Sequence, residues 1–249
     1  MKSLLRVVLA TGGLLVSLGA QAPPATEVYL APLTVTASAV TVGAPANISN
    51  NPGYDNQPSF LPDGSAVLFA SNRDGKQNDI YRWTIASKTL TQLTKTDENE
   101  YSPLVAPDGV SFITVHGAEQ SLFRYDLTGA NPRMAFQYGK ELIGYHVWID
   151  ATHVATFVLG QPNTLQVLDI TAGTGVTIDS NIGRSLLKRP GTTAVSYVSK
   201  KTQGAWTINQ FDVKTRAITT VATDLPRGSE DLTWLPDGKR LIMAQGNAL

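Results

Sequence analysis

Between residues 54 and 94 the chain alternates short apolar bursts with short polar breaks, and no stretch keeps the spacing of a buried helix face. The unit opens on Gln57-Pro58-Ser59-Phe60-Leu61, which runs into Pro62-Asp63-Gly64, a turn whose glycine tolerates a positive φ. Ala66-Val67-Leu68-Phe69-Ala70 follows as a short apolar run, and Ser71-Asn72-Arg73-Asp74-Gly75 reads as a polar turn. Ile80-Tyr81-Arg82-Trp83 and Leu90-Thr91-Gln92-Leu93-Thr94, parted by a turn at Ala86-Ser87-Lys88, complete the unit. Four short strands joined by tight turns predict one blade of a β-propeller.

The pattern then repeats. The residue just past the third strand of each unit is Thr84, Asp126, Asp169 and Asp212, at intervals of 42, 43 and 43. Asp63-Gly64 returns as Asp108-Gly109, 45 residues on, and Leu235-Pro236-Asp237-Gly238 restores the strong form. Ile149-Asp150 and Arg189-Pro190-Gly191 hold the equivalent turns of weaker units. A period in the forties with four strands per unit selects an all-β propeller over a sandwich or a helical solenoid. The ends supply half-blades. Residues 27–33, 40–42 and 46–49 resemble third and fourth strands without inner ones, and residues 232–235 and 240–244 resemble inner strands without outer ones. A blade shared by both termini closes a five-bladed ring; a chain that continues further would make six.

Pro58-Ser59-Phe60-Leu61-Pro62-Asp63-Gly64, Phe69-Ala70-Ser71-Asn72-Arg73-Asp74-Gly75, Asp79-Ile80-Tyr81 and Leu93-Thr94 together resemble the repeat of TolB-like propellers, a relative of the WD-type repeats. The resemblance is strongest over 55–109 and weakest in the units near 145 and 184, where the Pro-Asp-Gly turn is lost. It implies a six-bladed ring, a periplasmic location and a docking role, and it favours a truncated member. Prolyl-oligopeptidase enzymes carry such propellers too, but no Gly-x-Ser-x-Gly elbow is present here. A lyase built on a TolB-like ring remains the enzymatic alternative.

Composition adds an address. Lys2 and Arg6, an apolar run over 7–18 and Ala20-Gln21-Ala22 read as a secretory signal peptide over residues 1–22, which leaves 23–249 as the propeller domain. That apolar run is shorter than the roughly 20 residues a membrane span needs, so no span is expected after cleavage. The location expected is the periplasm, with secretion as the alternative. The chain has no cysteine, so neither a disulfide nor a lipid-modified N-terminal cysteine is open to it. The cleaved chain would carry 18 basic and 20 acidic residues, a balance that gives no case for nucleic acid. A monomer is expected.

Candidate chemistry follows from the fold. The loop leading into each innermost strand rims the central channel, so residues about 40 apart in sequence become neighbours there. Those positions hold Asp55 and Asn56, Glu100 and Tyr101, Tyr145 and His146, Arg184, and Glu230 with Asp231. Carboxylates, phenols, one imidazole and one guanidinium suit a site for a protein, a peptide or a small ligand at the channel mouth. The leading expectation is a non-catalytic binding propeller with no assigned catalytic residue. The alternative is a carbohydrate lyase or hydrolase with His146, Tyr145, Arg184 and the rim carboxylates as acid, base and charge-stabilising groups. His116, His146 and His153 lie in different strand contexts, so no metal set and no cofactor motif is legible. Arg184 can equally pair with Glu230 or Glu100, and residues 72–79 read as a hairpin turn in preference to a calcium loop, because the ligand spacing of an EF-hand is missing. Trp83, Trp148, Trp206 and Trp234 are expected in inter-blade packing.

Overall fold

The computed structural model describes residues 25–136, 142–226, 228 and 230–244, and among them every regular element is a strand. The expected signal segment 1–22 lies outside the described residues. Four complete antiparallel blades follow one another: β5 to β8 (Asp55–Phe60, Ala66–Ser71, Asp79–Thr84, Thr89–Gln92), and β9 to β12 (Asn99–Ala106, Gly109–His116, Glu119–Tyr125, Arg133–Phe136). The third holds β13 to β16 (Leu142–Trp148, His153–Leu159, Thr164–Asp169, Thr174–Ser180), and the fourth β17 to β20 (Ile182–Lys188, Ala194–Ser199, Thr207–Asp212, Ile218–Ala222). Before them come β1 to β4 (Tyr29–Leu30, Leu33–Val35, Val40–Val42, Ala46–Asn47), and after them β21 and β22 (Leu232–Trp234, Leu241–Met243). The chain is an all-β propeller.

Each blade grades from buried to exposed. The second strands β6 and β18 are buried at every position, because both of their faces meet neighbouring blades. The fourth strands β8 and β20 are mostly exposed and carry threonines. One apolar layer fills each gap between blades. Leu68, Ala70 and Ile80 of the first blade meet Val110, Phe112 and Tyr125 of the second. Ile113 and Leu122 meet Ile143 and Val154 of the third, and Phe157 and Leu165 meet Ile182, Val195 and Tyr197 of the fourth. Each large apolar side chain buried this way contributes roughly 1.5–3 kcal/mol.

The aspartates that mark the period are turn formers. Asp126, Asp169 and Asp212 each accept backbone N–H bonds from the residues two and four or three ahead: Thr128 and Ala130 at 2.9 and 3.0 Å, Thr171 and Ala172 at 2.9 Å, Lys214 and Thr215 at 2.9 Å. Asp63, Asp150 and Asp237 do the same between first and second strands. The tryptophans at the ends of β13 and β21 also repeat a bond. Trp148 Nε1 donates to Ser111 Oγ at 2.8 Å, and Trp234 Nε1 donates to Ser196 Oγ at 3.1 Å, each reaching back one blade.

The ends differ from a closed five-bladed ring. β1 pairs with β4 and β2 with β3 as one interrupted hairpin, whose Val28 and Ile48 pack on Val67, Phe69 and Tyr81 of the first blade. β21 and β22 pair with each other and pack on the fourth blade through Leu232. The two end pieces share no ladder among the described residues, so the shared closing blade is not formed there. Their contact is a hydrogen bond from Arg240 Nη1 to the Thr36 carbonyl at 2.8 Å.

Candidate functional site

The innermost strands β5, β9, β13, β17 and β21 surround a cavity of about 690 Å³ at the channel mouth. Each of the first four carries a register shift where it borders this cavity: at Asn56/Ser59, opposite Ser111/Ile113, at Ile143/Tyr145 and at Ile182/Leu186. A bulge bends the strand and re-aims its side chains. In the first two blades it places a non-glycine residue at positive φ, Gln57 at 57° and Ser102 at 54°, each directly before a proline. Gln57 Oε1 accepts the Ser102 N–H at 2.8 Å, and Ser59 Oγ donates to the Pro103 carbonyl at 2.6 Å, so the two bulges are tied together. Strained backbone of this kind persists where the surroundings over-determine it.

Of the residues expected on the rim, Asn56, Tyr145, His146, Arg184 and Asp231 line the cavity. Tyr101 meets Tyr54 edge-on at 6.2 Å between ring centroids, and its hydroxyl accepts a bond from Asn78 Nδ2 at 2.7 Å. Glu230 sits behind Arg184 and accepts its backbone N–H at 2.9 Å. Asp55 and Glu100 are elsewhere: both are buried between strands, at 1% and 0% exposure. Asp55 accepts bonds from Ser71 Oγ at 2.5 Å and Asn51 Nδ2 at 2.8 Å, and Glu100 accepts from Thr94 and Thr96 hydroxyls. They occupy equivalent positions 45 residues apart, one pleat away from Asn56 and Tyr101, and strand alternation turns them from the channel.

Tyr54, Gln57 and Ser185, which the sequence places at the same rim positions, line the cavity too, together with Ser102, which it did not single out. The signal for two of them was present, since Gln57-Pro58 and Ser102-Pro103 repeat at the same offset. Burial above all, helped by the nearby phenols of Tyr101 and Tyr145 and opposed by Arg184, pushes the Tyr54 phenol up to about 12. Two phenols and one guanidinium therefore share one mouth, with Tyr101 against Tyr54, and Tyr54 is protonated at neutral pH. Neither the Tyr54 nor the Tyr145 hydroxyl has a partner among the described residues, which leaves both available to a ligand.

Arg184 is the cation of the mouth. It donates to Asp231 from Nε at 3.1 Å and from Nη2 at 3.0 and 2.7 Å, which holds its pKa above the ordinary value. The partner is Asp231, not Glu230 or Glu100 as the sequence allowed. Both side chains are more than half exposed, so the pair contributes at most about 1 kcal/mol and a ligand carboxylate can replace Asp231 at small cost.

His146 is the opposite case. It is 3% exposed, and burial holds its pKa down at about 3, so the ring is neutral. Its Nε2 lies 2.7 Å from Ser111 Oγ, and that oxygen already accepts Trp148 Nε1–H. Ser111 Oγ also lies 3.4 Å from the Leu104 carbonyl, so through Ser111 the ring is tied to the second blade. Its Nδ1 is buried and has no partner among the described residues. His146 is thus a neutral, buried ring in the channel wall, with Nε2 engaged by Ser111 and Nδ1 closed off from solvent.

A family model described as oligogalacturonate lyase matches residues 19–162, more than half of the chain. Among solved structures, a putative TolB from Agrobacterium tumefaciens superposes with a TM-score of 0.65 at 18% identity, covering 80% of this chain and 73% of that one. TolB from Acinetobacter baumannii gives 0.59 at 17% identity over 79% of this chain. An oligogalacturonate lyase in complex with manganese gives 0.53 at 16% identity over 90% of this chain and 80% of that one. At these identities the likeness shows a shared propeller fold, and the resemblance to TolB-like propellers holds at that level. The chain spans 51% of the length of the Acinetobacter protein.

Proposed function

The chain belongs to the oligogalacturonate lyase family, and from that premise we propose that it is a carbohydrate-directed propeller of the lyase type, taking an acidic oligosaccharide into its channel mouth. The observation that carries this reading is the reach of the family match, which includes Tyr54, Asn56, Gln57, Ser102, Tyr145 and His146 of the cavity wall. Arg184 lies beyond the matched segment and supplies the complementary charge.

The lining suits a uronate. Phenols and amides offer flat apolar faces with polar edges, which match the ring and hydroxyls of a sugar. A guanidinium offers a fork for the carboxylate. In eliminative cleavage a base takes the proton on the carbon beside that carboxylate, the freed electron pair forms the double bond, and the glycosidic oxygen leaves the next carbon and takes up a proton to become a hydroxyl. A cation held on the carboxylate makes this proton more acidic, and Arg184 provides it. His146, with Nε2 engaged by Ser111 and Nδ1 buried, is not placed to abstract that proton. The described residues therefore account for recognition and charge neutralisation.

One relative in this family is described with manganese. Among the described residues here no three His, Cys, Asp or Glu side chains come together, and the one channel histidine is engaged by Ser111. Such a donor set does not fit a manganese centre, which takes several oxygen or imidazole ligands. The location proposed is outside the cytoplasm, in the periplasm, on the pattern of residues 1–22.

Calorimetric titration of the purified chain with digalacturonate and with a neutral disaccharide tests the reading, with ultraviolet absorbance reporting any unsaturated product. Digalacturonate is expected to bind and the neutral sugar not, and Arg184→Ala is expected to weaken binding about ten- to a hundred-fold. Equal binding of both sugars, or no binding of either, contradicts the proposal.

A further inference from the structure

Beside the channel, the loops of the fourth blade enclose a second cavity of about 730 Å³, walled by Asn181, Lys200, Lys201, Gln203, Trp206 and Leu225. The Lys200 ammonium lies 4.5 Å from the Trp206 ring centroid and pairs with Glu230. Lys201 pairs with Asp179, whose other oxygen accepts the Tyr197 hydroxyl at 2.7 Å. Both carboxylates sit behind their lysines, at 20% and 4% side-chain exposure. An ammonium has three N–H donors, and each carboxylate takes one, so donors remain on both lysines for a ligand. The Gln203 amide and the Trp206 indole N–H have no partner among the described residues.

The two cavities share a wall. Glu230 accepts the Arg184 backbone N–H at 2.9 Å and, on its other oxygen, the Lys200 ammonium. One carboxylate thus separates the guanidinium residue of the channel mouth from the cationic wall of the second cavity. Asp231, which holds the Arg184 side chain, is the next residue along.

We infer that the cavity of Lys200, Lys201, Gln203 and Trp206 is a second subsite, which holds a further uronate of the same acidic chain that enters the channel. The inference rests on the channel reading above and extends it: the ligand is an oligomer long enough to pass over Glu230, not a disaccharide alone. Two ammonium groups select a carboxylate, and the indole N–H and the Gln203 amide meet hydroxyls.

Affinity against chain length decides the matter, using the full chain with mono-, di- and tetragalacturonate. Tetragalacturonate is expected to bind at least about ten-fold tighter than digalacturonate. Gln203→Glu, which adds an acid at an exposed position and leaves the core intact, is expected to remove that gain while digalacturonate binding stays unchanged. Lys201→Gln is expected to act in the same direction. The fluorescence change on adding tetragalacturonate is expected to vanish in Trp206→Phe. If tetragalacturonate binds no tighter than digalacturonate, or the gain survives Gln203→Glu, the subsite is overturned and the channel reading stands. If no oligogalacturonate of any length binds, both fall.

Discussion

At the scale of single residues, two buried titratable groups pull stability in opposite directions with pH. Glu100 is fully buried, and burial pushes its pKa from 4.5 up to about 7 against the bonds from Thr94 and Thr96. The folded chain keeps that proton longer than the unfolded one, so this contribution is complete at low pH and is lost as pH rises through that window. Its size is on the order of 3 kcal/mol. His146 is held neutral, with its pKa lowered from 6.5 to about 3, so its contribution is complete at high pH and is lost as pH falls. Between pH 4.5 and 6.5 the two slopes oppose each other. The expected melting temperature of the parent chain is therefore nearly flat there, and Glu100→Gln is expected to uncover a steady rise with pH. Superimposable profiles for parent and variant would show that Glu100 is not the buried acid described. Neither environment was legible in the sequence. Glu100 sits at the same repeat position as Asp55, and only the pleat decides that both turn away from the channel. The lock on His146 comes from Ser111, 35 residues away, in a neighbouring blade.

At the scale of elements, the blade was readable because its signals are local. The Pro-Asp-Gly turns, the buried second strands and the aspartates after third strands each act within a few residues of where they stand. The bulges were harder. They follow from the way neighbouring innermost strands crowd at the channel, and only the repeated X-Pro pairs hinted at them. The long-range element of the repeat is the tryptophan-to-serine bond between blades. Ser111 serves two buried partners, Trp148 Nε1 and His146 Nε2, whereas Ser196 serves Trp234. Ser111→Ala leaves both groups unsatisfied in the gap between the second and third blades. It is expected to cost about 2–4 kcal/mol in denaturant unfolding, more than Ser196→Ala. Equal losses for the two variants would mean that the His146 bond carries no weight.

At the scale of the whole molecule, the propeller gives a rigid mouth on which groups far apart in sequence meet. The sequence pattern identified that mouth and most of its polar residues, since a strand order fixed by repetition fixes the rim. It did not reveal which charges were already spent. Asp55 and Glu100 are committed to holding strands together, while Arg184 is held by a solvent-exposed and readily replaced partner. The ends of the chain were read as half-blades, and they are half-blades, though without the ladder that would merge them into one. What the ring presents is one accessible guanidinium amid phenols, with a second cationic cavity a single carboxylate away. The most direct test is a crystal structure of the chain with digalacturonate bound. A sugar carboxylate is expected within hydrogen-bonding distance of the Arg184 guanidinium, with Asp231 displaced from it. A sugar bound elsewhere, with the Arg184–Asp231 pair intact, would contradict it.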